Sequence, residues 1–264
     1  MLTKPIFKIV AFFTLISSLL ISMMVAAAHA EPTFPSNYYL DSPSQRWTGE
    51  TRFGVNVRLK DLKLNVPVTT LKRDDDVYYV ESQAIIDAPA EKVFAVSTEY
   101  NNYKQFAPYV LESQIVGRTQ YPGQELPSDL YIWTKMRYVA SYMGIDKTIT
   151  SMYYLRSQPL KGVLDSSDFA IRWKIEKPHQ GWKNPTNSYF SVLDGSWYIL
   201  PLEGNRTYVR YFLKVNEDTP YPTFIVKRAL GGPLKSGVQK LIEAITKRAK
   251  NYRSLSEGPV HRSP

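Results

Sequence analysis

The stretch from Phe169 to Glu176 limits the possible folds more than any other. Phe169, Ile171, Trp173 and Ile175 alternate with Arg172, Lys174 and Glu176, and Asp168 precedes them. In a strand, alternate side chains point to opposite faces, so one face of this segment is dry and the other wet. The stretch Val209, Tyr211, Leu213 and Val215, against Arg210 and Lys214, repeats the pattern. One-sided strands need a cover, and the chain supplies one near its end. Leu234, Val238, Leu241, Ile242 and Ile245 recur at helical spacing.

Between these landmarks, strands are expected near Val77–Ile86, Val110–Tyr121, Asp129–Ala140, Asp146–Leu155, Ser167–Glu176, Tyr189–Leu200 and Thr207–Asn216. Pro122-Gly123, Met143-Gly144, Pro159, Pro178 to Pro185 and Gly204-Asn205 mark the connections. Asp87-Ala88-Pro89-Ala90-Glu91 opens a short helix that buries Val93 and Phe94. A second helix spans Tyr100 to Phe106 and stops before Pro108. The C-terminal helix starts near Phe224, and Gly231-Gly232-Pro233 is expected to break or kink it. Upstream, Val55, Val57 and Leu59, then Leu62, Leu64, Val66 and Val68, form two short strands or a strand and an extended arm. Arg73-Asp74-Asp75-Asp76 reads as an exposed turn rather than a cation loop, because no ligand spacing follows.

The order of elements gives an α+β domain. A curved antiparallel sheet of six to seven strands wraps around one long C-terminal α-helix, with room between them for an apolar cavity. The boundaries are 1–30 for a signal peptide, 31–75 for an N-terminal extension, 76–253 for the ligand-binding domain and 254–264 for a disordered tail. The first segment carries Lys4 and Lys8, an apolar run from Ile9 to Val25, and Ala28-His29-Ala30 as a cleavage site after Ala30. An uncleaved N-terminal anchor is the alternative. Cleavage places the protein in the periplasm or outside the cell.

Composition removes whole classes of function. The chain contains no cysteine, which excludes disulfides, thiol nucleophiles and a lipoprotein anchor. Two histidines follow the leader, His179 in a proline-rich loop and His261 in the tail, so a Ser-His-acid triad or a histidine metal site is not expected. Asp146, Asp168 and Glu176 read as solvated charges. No glycine-rich phosphate loop follows a strand. The formal net charge of +9 is concentrated, not spread. From Lys227 to Arg253, Glu243 is the only acid among Lys227, Arg228, Lys235, Lys240, Lys247, Arg248, Lys250 and Arg253. That distribution argues against nucleic acid. It fits either a solvated helix face or docking to an anionic membrane through Lys235, Lys240, Lys247, Arg248 and Lys250.

Two stretches resemble a known family. Val80-Glu81-Ser82-x-x-Ile85-Ile86-Asp87-Ala88-Pro89-Ala90-Glu91-Lys92-Val93-Phe94, then Tyr100 and Phe106-Ala107-Pro108, is similar to the opening of START-like (SRPBCC) proteins. That superfamily includes START lipid-binding domains, polyketide cyclases, coenzyme Q-binding proteins and birch-pollen-type allergens. Gly195-Ser196-Trp197, Thr207-x-Val209-x-Tyr211, and Pro222 leading into Ala229-Leu230 and Leu241 resemble the last strands and helix of its bacterial members. The resemblance covers residues 77 to 250 and implies the helix-grip fold. It also implies a hydrophobic ligand beneath the terminal helix, and it leaves carrier and enzyme open, since the fold hosts both.

The expected lining is Met136, Tyr138, Phe169, Ile171, Trp173, Trp197, Val209, Tyr211, Leu230, Leu234, Val238 and Leu241, with Tyr138 and Tyr211 as polar handles. For Thr148 to Leu155 both phases are apolar, and the inward one stays open. The leading expectation is non-catalytic binding, with transport, of a lipid or other hydrophobic small molecule by a monomer in the cell envelope, without cofactor or metal. A cyclase or dehydratase using the same cavity is the second reading, marked by a carboxylate bonded to a tyrosine inside it. The third is an envelope protein-interaction module with a filled core.

Overall fold

The structure is a computed structural model and describes residues 61–142, 145–162, 166–185, 188–217 and 223–252. Side chains are described for these residues except 138–147 and 217–231. The leader, the stretch from Arg52 to Lys60 and the tail lie outside the described residues, as do the side chains of Tyr138, Asp146 and Leu230.

Among the described residues, eight strands form one antiparallel sheet. They are β1 (Val68–Asp74), β2 (Val77–Ile86), β3 (Val110–Thr119), β4 (Asp129–Tyr142), β5 (Ile145–Lys161), β6 (Phe169–Glu176), β7 (Phe190–Leu202) and β8 (Arg206–Glu217). The helices are α1 (Ala90–Ser97), α2 (Tyr103–Phe106) and α3 (Thr223–Lys250). The sheet order is β1-β2-β8-β7-β6-β5-β4-β3. From β3 to β8 the order is that of hairpins joined in sequence, while α1 and α2 carry the chain from β2 to the far edge at β3.

The expected sheet of six to seven strands gains one. The segment before the aspartates pairs with β2, from Val68 opposite Gln83 to Asp74 opposite Val77. The turn is carried by Asp75, whose φ of 51° lies in the left-handed region that Asp tolerates. Pro159 lies inside β5 instead of ending it. Its pairing with β4 stops at Ser157, so the missing N–H faces no neighbour there, while Ile171 of β6 pairs opposite.

The concave face holds the core. Tyr78, Val80, Ala84 and Ile86 of β2 pack with Val93 and Phe94 of α1 and with Val238, Ile242 and Ile245 of α3. α3 runs through Gly231-Gly232-Pro233 as one helix of 28 residues, so the helix does not end at the expected break. Among the described residues no helix is long and apolar enough to cross a membrane.

The convex face is not uniformly wet. Leu62, Ile85, Leu200 and Tyr208 form a second cluster on it. Glu81 is 1% exposed and accepts from Arg210 Nε at 2.7 Å, and Tyr208 donates to Gln83 at 3.0 Å. Asp168, expected in solvent, is fully buried and accepts from the Tyr198 hydroxyl at 2.9 Å. Alternation places these side chains on the outer face, but only packing there decides that water is excluded.

Candidate functional site

A cavity of about 200 Å³ lies between α3 and the sheet. Leu234, Val238 and Leu241 present one face of α3 to it, together with Pro233 and Gly237. Opposite, Ile132, Thr134 and Met136 project from β4, with Tyr153 and Leu155 from β5. Trp173, Leu193, Trp197, Tyr211, Leu213 and Val215 continue the wall across β6, β7 and β8. Tyr100, Tyr103 and the loop Ala107-Pro108-Tyr109 close one side, with Val110 and Ser113 of β3. No Asp, Glu, His, Lys or Arg is among these lining residues.

Register decides which phase of β5 faces inward. Thr134 stands opposite Tyr153 and Ile132 opposite Leu155, and directly opposed residues share a face. Lys135 and Arg137 mark the outer face of β4, so Tyr153 and Leu155 point into the cavity. Tyr154 points outward and packs against Trp133 and Trp182.

Trp173 reaches the cavity because its opposite residue is a glycine. Trp173 pairs with Gly195, and a Cβ there would lie 2.2 Å from the Trp173 ring. The indole therefore lies over β7 and meets Tyr211, ring centroids 5.4 Å apart. Trp197 meets the same tyrosine edge-on at 4.6 Å.

The hydroxyls differ in how they are satisfied. Tyr100 bonds Ser157 at 2.6 Å, and Tyr103 donates to the Ser97 carbonyl at 2.6 Å. Tyr153 points at the Met136 thioether, a weak acceptor. Ser113, Thr134 and Tyr211 make no side-chain hydrogen bond among the described residues. Burial pushes the phenols of Tyr100, Tyr153 and Tyr211 well above their ordinary range. They stay protonated at neutral pH and serve as hydrogen-bond donors, not bases.

Of the residues expected to line the cavity, Met136, Trp173, Trp197, Tyr211, Leu234, Val238 and Leu241 do so. Phe169, Ile171 and Val209 do not. They lie on the concave face, but α1 fills that end, with Phe94 stacked on Phe169 at 4.5 Å. The tyrosines at 100, 103, 109 and 153 were not anticipated as lining. Their positions depend on register and on a loop conformation that no periodicity encodes.

Tyr109, an exposed member of the cavity lining, packs against α3. Tyr109 adopts φ of 67°, unusual for an aromatic residue, and its carbonyl accepts from the Arg137 N–H at 2.8 Å. Its ring packs on Gly237, with Lys240 Nζ 5.9 Å from the ring centre. Lys235 is also exposed near this end. The other bases of the helix differ. Arg248 Nε donates to Glu99 at 2.6 Å and covers the Phe106 ring, Lys250 pairs with Asp87 at 3.3 Å, and Lys247 is exposed.

A family model described as polyketide cyclase/dehydrase and lipid transport matches residues 86–242, well over half of the chain. The chain belongs to this family. Human StAR-related lipid transfer protein 5 has a similar fold, with a TM-score of 0.50 at 9% identity over 69% of this chain and 86% of its own. The Zhui aromatase/cyclase of a Streptomyces species gives 0.49 at 14% identity, over 69% and 99%. A STAR-related lipid transfer protein fragment from Xanthomonas axonopodis gives 0.48 at 12%, over 69% and 98%. No curated protein matches the sequence. Membership in the family establishes the helix-grip architecture expected from the two sequence stretches. Carriers and cyclases share that architecture, so function has to be argued from the cavity.

Proposed function

We propose that this family member is a non-catalytic binding protein, and a carrier, for a lipid or other hydrophobic small molecule. One observation carries the reading. Among the described residues, the cavity is walled by aliphatic and aromatic side chains and hydroxyls, with no carboxylate, imidazole or basic side chain among them. Apolar walls with a few polar groups suit a hydrophobic ligand. Proton transfer in a cyclase or dehydratase asks for a base, and the raised phenols do not supply one at neutral pH. The carboxylate–tyrosine contact between Asp168 and Tyr198 joins residues outside the cavity wall. The open interior also argues against a module with a filled core.

The carrier works in the cell envelope. The leader with Lys4, Lys8 and Ala28-His29-Ala30 supports export. Docking on an anionic bilayer is supported by Lys235 and Lys240, exposed on α3 next to the lining residues Leu234 and Leu241, each such base contributing about 1 kcal/mol near a charged surface. Native mass spectrometry and solvent extraction of the purified protein test the proposal. Recovery of a bound hydrophobe, or uptake from a lipid panel, supports it. Protein that stays empty throughout overturns it.

A further inference from the structure

We infer that the cavity takes an uncharged hydrophobe bearing an oxygen acceptor, a carbonyl or an alcohol, which receives a hydrogen bond from the Tyr211 hydroxyl. The inference rests on the binding proposal above and names the chemical class of its ligand. Tyr211 is 6% exposed, lines the cavity, and has no hydrogen-bond partner among the described residues. Its ring is held on two sides, by Trp173 at 5.4 Å and Trp197 at 4.6 Å. A side chain so clamped cannot swing out to find water. The other buried phenols of the wall are already occupied, Tyr100 by Ser157 and Tyr153 by Met136.

A purely apolar ligand filling the space would strip water from this hydroxyl and return nothing. A buried donor left unpaired costs about fivefold to a hundredfold in affinity. A ligand oxygen placed there removes that cost. An ionised headgroup meets the opposite problem, because no cation among the described residues lines the wall to compensate a carboxylate or phosphate. The volume sets the scale. At about 200 Å³ it exceeds the roughly 150 Å³ apolar cavity that holds one benzene. A fused pair of rings or a short branched chain is the matching size.

The test compares naphthalene, acetylnaphthalene and naphthoate at neutral pH, binding to the full chain and to Tyr211→Phe and Thr134→Val variants. The expected order is acetylnaphthalene tightest, naphthalene weaker by about fivefold, and naphthoate weaker than the ketone by at least about a hundredfold. Tyr211→Phe abolishes the preference for the ketone, and the circular dichroism spectrum of the variant reports that it is folded. Thr134→Val leaves the preference in place. A ketone preference that survives Tyr211→Phe, or falls with Thr134→Val instead, overturns the assignment to Tyr211. Naphthoate binding as tightly as the ketone overturns the uncharged class. Either result leaves the cavity reading standing if naphthalene binds. Failure of all three probes removes the cavity reading and the inference together.

Discussion

Trp173 lies across Gly195 so closely that a Cβ at residue 195 would sit 2.2 Å from Trp173 Cζ2 and 2.6 Å from the Phe212 carbonyl oxygen. The glycine gives up its own side-chain space to a neighbour's indole. Gly195→Ala therefore forces either the indole or the β7–β8 pairing to move. Overpacking of this kind costs about 1–3 kcal/mol, and the rigid carbonyl places it toward the upper end. Urea denaturation measures the loss. Ligand affinity falls in the same variant, since Trp173 is displaced from the wall.

Filling the cavity separates binding from folding. Leu234 faces the cavity from α3. Leu234→Trp places an indole into empty space and weakens ligand uptake by at least about tenfold, a change of roughly 1.4 kcal/mol. Stability stays within about 1 kcal/mol of the parent, because the added volume displaces no packed atom. Equal losses of uptake and stability would show that the space is not where the ligand sits.

Alkaline unfolding follows from the buried phenols. Desolvation raises the pKa of Tyr100, Tyr153, Tyr208 and Tyr211 in the folded state. An acid with a raised folded pKa contributes stability that is complete below its unfolded pKa, about 10 for tyrosine, and is lost as pH rises beyond that. Above that point the unfolded chain releases protons that the folded chain keeps, so each of the four lowers stability by about 1.4 kcal/mol per pH unit. Tyrosinate absorbance is expected to rise for these four in one cooperative step, coincident with loss of circular dichroism. Gradual ionisation of all tyrosines without unfolding would contradict their burial.

The ion pair between Arg248 and Glu99 anchors the end of α3 to the turn after α1. Its atoms are 2.6 Å apart, with side chains 32% and 19% exposed. Solvent screening at this exposure limits its coupling to about 1 kcal/mol. A double-mutant cycle on Arg248→Met and Glu99→Gln measures it, and added salt reduces it. A coupling near zero would leave the Phe106 ring, which Arg248 also covers, as the real contact.

Most of the fold is legible in local pattern. The inner face of β2, with Tyr78, Val80, Ser82, Ala84 and Ile86, follows from alternation alone and is buried as expected. The strands β3, β4, β6, β7 and β8 fall close to the expected limits, whereas β5 runs through Pro159 to Lys161, six residues past its expected end. The site was legible only in part. Met136, Trp173 and Tyr211 share the concave face with Phe169, Ile171 and Val209, and sequence cannot separate the two groups. Separation comes from α1, which fills one end of the sheet and leaves the other open.

Sequence by itself determined the apolar inner faces of β2, β6 and β8, the hairpins from β3 to β8, the terminal helix and the absence of any thiol. These are properties of neighbours along the chain, set by a period of two or of 3.6 residues. Tertiary structure alone decided that Tyr153 rather than Tyr154 faces inward and that Asp168 is buried. It also decided that Gly195 yields its space to Trp173 and that the Tyr211 hydroxyl has no hydrogen-bond partner among the described residues. Each of those depends on registering one strand against another, a relation between residues far apart in sequence that no local pattern records.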